Sequence, residues 1–169
     1  GQYLAAHSRA RRNCDRELLK IEMANNEDIE ELSKLRVLQQ KDDWQEEYED
    51  KMDLKETTKK YLNTHLNKDI YFFIIRENNK IVATCGLQII EQLPQCNNNG
   101  VMGYICNVFT RKEYRRRGIQ TNLLKKCIDF AHKKDVRMIQ LSADNPEAIS
   151  IYKKIGFEQD KLMMIWKGK

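Results

Sequence analysis

Arg115, Arg116 and Arg117, followed at once by Gly118, are the residues of this 169-residue chain whose types and spacing best suit chemistry. Before them lies an apolar, β-favouring stretch that ends Asn107-Val108-Phe109-Thr110. After them Ile119, Leu123, Leu124, Cys127, Ile128 and Ala131 recur at helical spacing. A strand that turns into a helix aims several unpaired backbone N–H groups at one point, and the helix dipole makes that point positive. The turn therefore predicts a phosphate site, formed by the backbone of Arg116, Arg117, Gly118, Ile119, Gln120 and Thr121 with the Arg115 side chain beside it. The competing readings of the arginines are plain solvated helix-entry charge and contact with nucleic acid.

The other reactive side chains are dispersed. Cys14, Cys85, Cys96, Cys106 and Cys127 make no C-x-x-C pair and have no nearby histidine. That spacing argues against a zinc site and against a disulfide framework, and it reads as reduced thiols in a cytosolic protein. His7, His65 and His132 stand singly and are expected at the surface. Seven acids, Asp42, Asp43, Glu46, Glu47, Glu49, Asp50 and Asp53, are interleaved with Trp44, Tyr48 and Met52, a pattern that by itself reads as a solvated helical face.

The elements that must position these groups follow from periodicity. Residues 18–23 suit a short strand. Asn25 to Asp28 supply a cap and an acidic first turn before Ile29, Leu32, Leu35 and Leu38, so a helix is expected over about 27–40. A second helix, about 54–67, turns Leu54, Tyr61, Leu62 and Leu66 inward. Residues 70–75 and 80–90 read as an antiparallel hairpin around Asn78-Asn79, and 101–110 as the central strand. After the helix that begins near Gly118 come a short strand at 138–141 and a helix with Asn145 as cap, Pro146 first and Gly156 just past its end. A last strand is expected at 161–166. Strands and helices in this order make a three-layer α+β domain whose mixed, largely antiparallel sheet is flanked by helices.

Composition bounds the reading. Apolar residues make up 41% and charged residues 33%, with a net charge of +5 concentrated at the N-terminal tail and the arginine turn, which suits an anionic ligand. One domain is expected over 18–169, with 1–17 a loose N-terminal extension or a vector-derived remnant. No apolar run approaches the ~20 residues of a membrane span.

Two motifs at the expected separation resemble a known family. Arg115-x-x-Gly118-x-Gln120 after the strand is similar to the acetyl-CoA signature of the GCN5-related N-acetyltransferase (GNAT) family, usually Arg/Gln-x-x-Gly-x-Gly/Ala. The stretch from Asn145 through Tyr152 to Gly156-Phe157 resembles the family's closing helix. The resemblance covers about residues 18–168. It implies direct transfer of an acetyl group from acetyl-CoA, as cosubstrate, to a primary amine of a small molecule or peptide N-terminus, with no metal and no nucleic-acid partner. A homodimer stays open.

The resemblance also implies roles. The edge of the strand at Val108, Phe109 and Thr110 would pair with the pantetheine arm, and a backbone N–H near Val108 would face the thioester carbonyl. Tyr152, which its own spacing reads as a core tyrosine on the face of Ile149 and Ile155, matches the family residue that protonates the departing thiolate. Asn145 would hydrogen-bond the pantetheine, although helix capping accounts for it equally. The acids at 42–53 would border the acceptor groove and attract a cationic amine. Two positions depart from the pattern. Gln120 replaces a small residue and would crowd the phosphates, and Arg116 stands where glycine is common. Cys106 occupies the place of a frequent glutamate base, leaving Glu91, Tyr104 or a water chain for that role. These departures also fit a non-catalytic CoA-binding regulatory module.

Overall fold

The computed structural model describes residues 19–168; the expected extension at 1–17, with His7 and Cys14, lies outside them. Five strands, β1 (Ile21–Met23), β2 (Ile70–Glu77), β3 (Lys80–Glu91), β4 (Val101–Thr110) and β5 (Met138–Gln140), form one sheet in sequence order. Neighbours from β1 to β4 are antiparallel, whereas β5 lies parallel to β4. Four helices flank the sheet: α1 (Ile29–Trp44), α2 (Leu54–His65), α3 (Ile119–Lys133) and α4 (Pro146–Ile155). The expected three-layer α+β architecture is therefore the observed one.

Strand β2 shows how the layers form. Its Ile70, Phe72 and Ile74 pack with Ile29, Leu32 and Leu35 of α1 and Leu62 of α2. The alternate residues Tyr71, Phe73 and Ile75 pack with Leu123, Leu124, Cys127 and Ala131 of α3 and Tyr152 of α4. Successive side chains point to opposite faces of a strand, so an uninterrupted apolar run is what a doubly covered strand requires. Asn78 and Asn79 both adopt left-handed φ, 50° and 60°, as a two-residue hairpin turn of this hand demands.

Polar residues set the helix entries. The Asn25 side chain accepts from Glu27 N–H while the Asp28 carboxylate accepts from Asn25 N–H, a reciprocal cap before α1. Asp28 is only 6% exposed and pairs with the Arg76 guanidinium of β2 at 2.9 Å. At α4 the Asn145 side chain accepts from Glu147 and Ala148 N–H, Pro146 opens the helix, and Gly156 closes it at φ 118°.

The expected last strand does not form. Residues 161–166 make no ladder, and Leu162, Met164 and Trp166 are 87%, 95% and 87% exposed. Apolar composition favours a strand only where a neighbour supplies pairing and cover. This segment leaves α4 without meeting β5, which stays an edge strand.

Candidate active site

The site begins with a defect in β4. Thr84 of β3 pairs with Phe109 and Gly86 with Cys106, so Cys85 faces two residues, Asn107 and Val108. This is a β-bulge, and Asn107 takes the left-handed φ of 48° that accommodates the extra residue. Inserting one residue resets the alternation of faces. Cys106 accordingly packs toward the α1–α2 layer and Val108 toward the α3–α4 layer, although strict alternation would place them together. Gly86 permits this close pairing, since a Cβ there would lie 2.8 Å from Cys106 Sγ and 2.9 Å from its carbonyl oxygen.

The same strand loses its neighbour on the other side. Only Met102, Gly103 and Tyr104 pair with β5, through Met138, Ile139 and Gln140. Tyr104 Oη lies 3.0 Å from Ser142 Oγ where the strands part. Beyond it β4 runs on through Val108, Phe109 and Thr110 with that edge unpaired among the described residues. An edge of free N–H and C=O groups is a template for an extended, amide-bearing ligand.

The open edge leads to the amino end of α3. Gly118 sits there at φ 74°, no side chain caps the helix, and the first intrahelical bond runs from Asn122 N–H to Gly118 O. The amides of Ile119, Gln120 and Thr121 thus lack helical acceptors. A Cβ at Gly118 would meet nothing within 4 Å, so the approach to these amides is open. These free amides lie where the sequence places the expected phosphate site.

The three arginine side chains do not converge. Arg115 donates to Thr110 O, pairs with Asp42 at 2.7 Å and lies over the Phe109 ring at 6.0 Å. Arg116, at φ 61°, reaches Glu147 at 3.6 Å, with both groups well exposed. Arg117 donates to Glu113 O and lies over the Tyr114 ring at 5.1 Å.

Gln120 departs from expectation. It shares the inner stripe of α3 with Leu124 and Cys127, one and two turns on, and its side chain turns toward the sheet. Its Nε2 lies 3.1 Å from Thr84 O, 2.9 Å from Phe109 O and 2.8 Å from Thr110 Oγ1. The side chain is engaged beneath the bulge and does not crowd the outward-facing amides.

Tyr152 is 8% exposed, between α4 and the sheet, with its ring edge-on to Phe157 at 6.0 Å. Burial pushes its phenol up to about 12, with Cys85 and Asp43 adding to the shift. It remains protonated throughout the neutral range. Cys106 is likewise pushed up to about 11 by burial, against the opposing charge of Arg36, and is a neutral thiol there.

Sequence reasoning missed Asp144, whose charge acts on Asp43 of the acidic run it had named. Asp43, on the last turn of α1, has its pKa raised by burial; Arg36 opposes the rise, while Asp144 and Asp42 add to it. Asp43 in turn acts on Tyr152. Asp43 at the end of α1 and Asp144 just before α4 therefore come within electrostatic reach of one another. No local signal marks Asp144, which simply precedes a helix cap. Glu91, offered as a base, is excluded by position: it pairs with Val101, seven residues and about 23 Å along β4 from Val108.

Known proteins are similar to this chain in sequence and fold. An uncharacterised N-acetyltransferase of Methanocaldococcus jannaschii is 30% identical over 99 residues, 56% of this chain and 42% of that one, so the chain spans under half of that relative. The solved structure of a predicted acetyltransferase from Clostridium acetobutylicum, with acetyl-CoA, superposes at a TM-score of 0.80 and 29% identity, over 89% of this chain and 96% of that one. An aminoglycoside acetyltransferase from an uncultured soil metagenomic sample, in complex with sisomicin, shares the fold at a TM-score of 0.71 and 20% identity, over 91% of this chain and 99% of that one. The profile of the Acetyltransferase (GNAT) family matches residues 29–157, a span that contains the bulge, the open strand edge, the uncapped helix and Tyr152. On that match and this geometry the chain belongs to the GNAT acetyltransferase family.

Proposed function

We propose that the protein transfers an acetyl group from acetyl-CoA directly to a primary amine of a small molecule or peptide N-terminus. The observation that carries this reading is the unpaired edge of β4 leading straight from the bulge at Asn107 to the uncapped amino end of α3. The acetyl-CoA in the Clostridium acetobutylicum relative supports the same cosubstrate.

The amides of Ile119, Gln120 and Thr121 hold the pyrophosphate, each charge-assisted bond contributing about 1.5–3 kcal/mol. Arg115, Arg116 and Arg117 add charge at the rim. Val108, Phe109 and Thr110 offer the strand edge to the pantetheine amides, with an N–H near Val108 aimed at the thioester oxygen. A preorganised donor there stabilises the charge that develops as the amine attacks. Acetyl-CoA supplies the thioester: the new N–C bond forms and the C–S bond breaks, the amine losing one proton to water. Tyr152 gives the departing sulfur its proton and is reprotonated from solvent. Asn145 holds the start of α4, and so the position of Tyr152, through its cap. Asp42, Asp43 and Asp144 make this end of the proposed site attractive to a cationic amine. Cys106, a neutral, half-buried thiol, has no part in a direct transfer.

The test is thermal stabilisation by acetyl-CoA followed by free-thiol release with a panel of amines. At a hundredfold excess over Kd, ligand linkage is worth about 2.7 kcal/mol. Stabilisation with amine-dependent thiol release is the expected result. Stabilisation without release by any amine would favour the non-catalytic CoA-binding module, and no stabilisation would sink both readings.

A further inference from the structure

Gln120 stands where two halves of the site meet. Its own backbone N–H belongs to the first turn of α3, at the phosphate cradle. Its side-chain amide reaches the carbonyls of Thr84 and Phe109 and the hydroxyl of Thr110, on both strands of the bulge. The bulge is closed from within by a second pair. Thr84 Oγ1 donates to Asn107 O at 2.8 Å and accepts from Asn107 Nδ2 at 3.3 Å. Thr84 is fully buried and Asn107 is 6% exposed, so water does not readily replace these bonds.

We propose that Gln120 is a positioning residue that fixes the bulged end of β4 relative to the amino end of α3. The inference rests on the proposed acetyl-CoA site. It concerns how that site sets the spacing between its phosphate end and its thioester end. A bulge residue at left-handed φ is held only where its surroundings over-determine it. Thr84 and Asn107 supply that restraint within the sheet. Gln120 ties it to the first turn of the helix, beside the Cys127 thiol on Cys85 O and the apolar packing of α3 on the sheet, so that the strand edge and the proposed phosphate cradle move as one body. A small residue at this position removes the polar tie nearest the amino end of α3 and leaves that packing and the Arg111–Gly118 connection. A carboxylate in its place sets an acceptor against the two carbonyl oxygens of Thr84 and Phe109, with only the Thr110 hydroxyl able to donate to it.

The experiment compares wild type with Gln120→Met, which keeps the volume and removes the donors, and Gln120→Glu, which reverses them. Two probes are titrated calorimetrically: adenosine 3′,5′-bisphosphate, which reads the phosphate end alone, and coenzyme A, which spans both ends. Thermal melting confirms that each variant folds. In Gln120→Met the bisphosphate should bind within about twofold of wild type while coenzyme A weakens about tenfold, the worth of one net hydrogen bond. With an active amine, kcat should fall more than the KM for acetyl-CoA rises, and Gln120→Glu should be the more severely affected. Unchanged coenzyme A binding and kcat in Gln120→Met, or equal loss for both probes, would overturn the proposal. A wild-type protein that binds neither probe would sink the acetyl-CoA reading itself.

Discussion

Asp42 Oδ2 and Arg115 Nη2 lie 2.7 Å apart although 73 residues separate them in the chain. The pair pins the end of α1 to the turn that precedes α3, where the phosphate site is proposed. Both side chains remain partly exposed, at 36% and 44%, so the pair adds less than about 1 kcal/mol to stability. Its weight is in binding. Asp42 competes with a phosphate for the same guanidinium. Asp42→Asn should therefore tighten coenzyme A binding a few-fold at unchanged melting temperature, and Arg115→Ala should weaken it. Titration calorimetry at low and high salt checks both, and equal affinities in all three proteins would remove Arg115 from the cradle.

Tyr152→Phe should lower kcat by about a hundredfold or more while leaving coenzyme A affinity and melting temperature near wild type. The phenol is held neutral by burial, with its pKa pushed up to about 12. Because the folded value lies above the ordinary ~10, the stability this group contributes is fully present below about pH 10 and is lost as the pH rises toward 12. Melting curves between pH 9 and pH 12 should fall less steeply for Tyr152→Phe. Full turnover in that variant would exclude Tyr152 as the acid.

Asp28 gives the acid limb of stability. Burial raises its pKa, but the hydrogen bonds from Arg76 and from Asn25 N–H outweigh that, and the net shift is downward. Its contribution is present above the ordinary carboxylate value of ~3.9 and is lost as the pH falls through the lower folded value. Asp28→Asn should cost about 1–3 kcal/mol near neutrality and flatten the decline of stability in acid, read by denaturant unfolding from pH 7 to pH 2.

Thiol labelling separates the cysteines. Cys96 is exposed, Cys85 and Cys127 are buried with their sulfurs 3.4 Å apart, and Cys106 is held at about 11. At pH 8 only about one Cys106 in a thousand is thiolate. Peptide mapping after brief alkylation should find Cys96 modified and Cys85, Cys106 and Cys127 protected. Cys106→Ala should keep turnover within about threefold, and a loss of several orders would make Cys106 a participant in transfer.

Much of this was legible from residue order. Helix spacing of Leu32 and Leu35, of Leu123, Leu124 and Cys127, and the apolar run of β2 report which faces are covered, since burial imposes periods of 3.6 and 2 on the residues themselves. Caps at Asn25 and Asn145 and the left-handed positions at Asn78 and Gly118 are local chemistry, so they too can be read in order. The same holds for the strand, turn and uncapped helix end that follow one another from β4 to α3.

What the chain order does not carry are relations between segments distant in sequence. The bulge depends on Gly86 accepting Cys106 across the sheet, and it alone sends Cys106 and Val108 to opposite layers. Gln120 reads as an oversized residue at a phosphate turn until the carbonyls of Thr84 and Phe109 appear beneath it. Asp42 finds Arg115, and Asp43 meets the field of Asp144, only when α1 crosses the sheet. The apolar stretch at 161–166 has the composition of a strand and no neighbour to pair with. Periodicity and capping are set within a few residues, so the sequence alone determined the elements up to α4 and the family. Pairing, desolvation and charge proximity act through space, and only the tertiary structure decided which side chains serve the site.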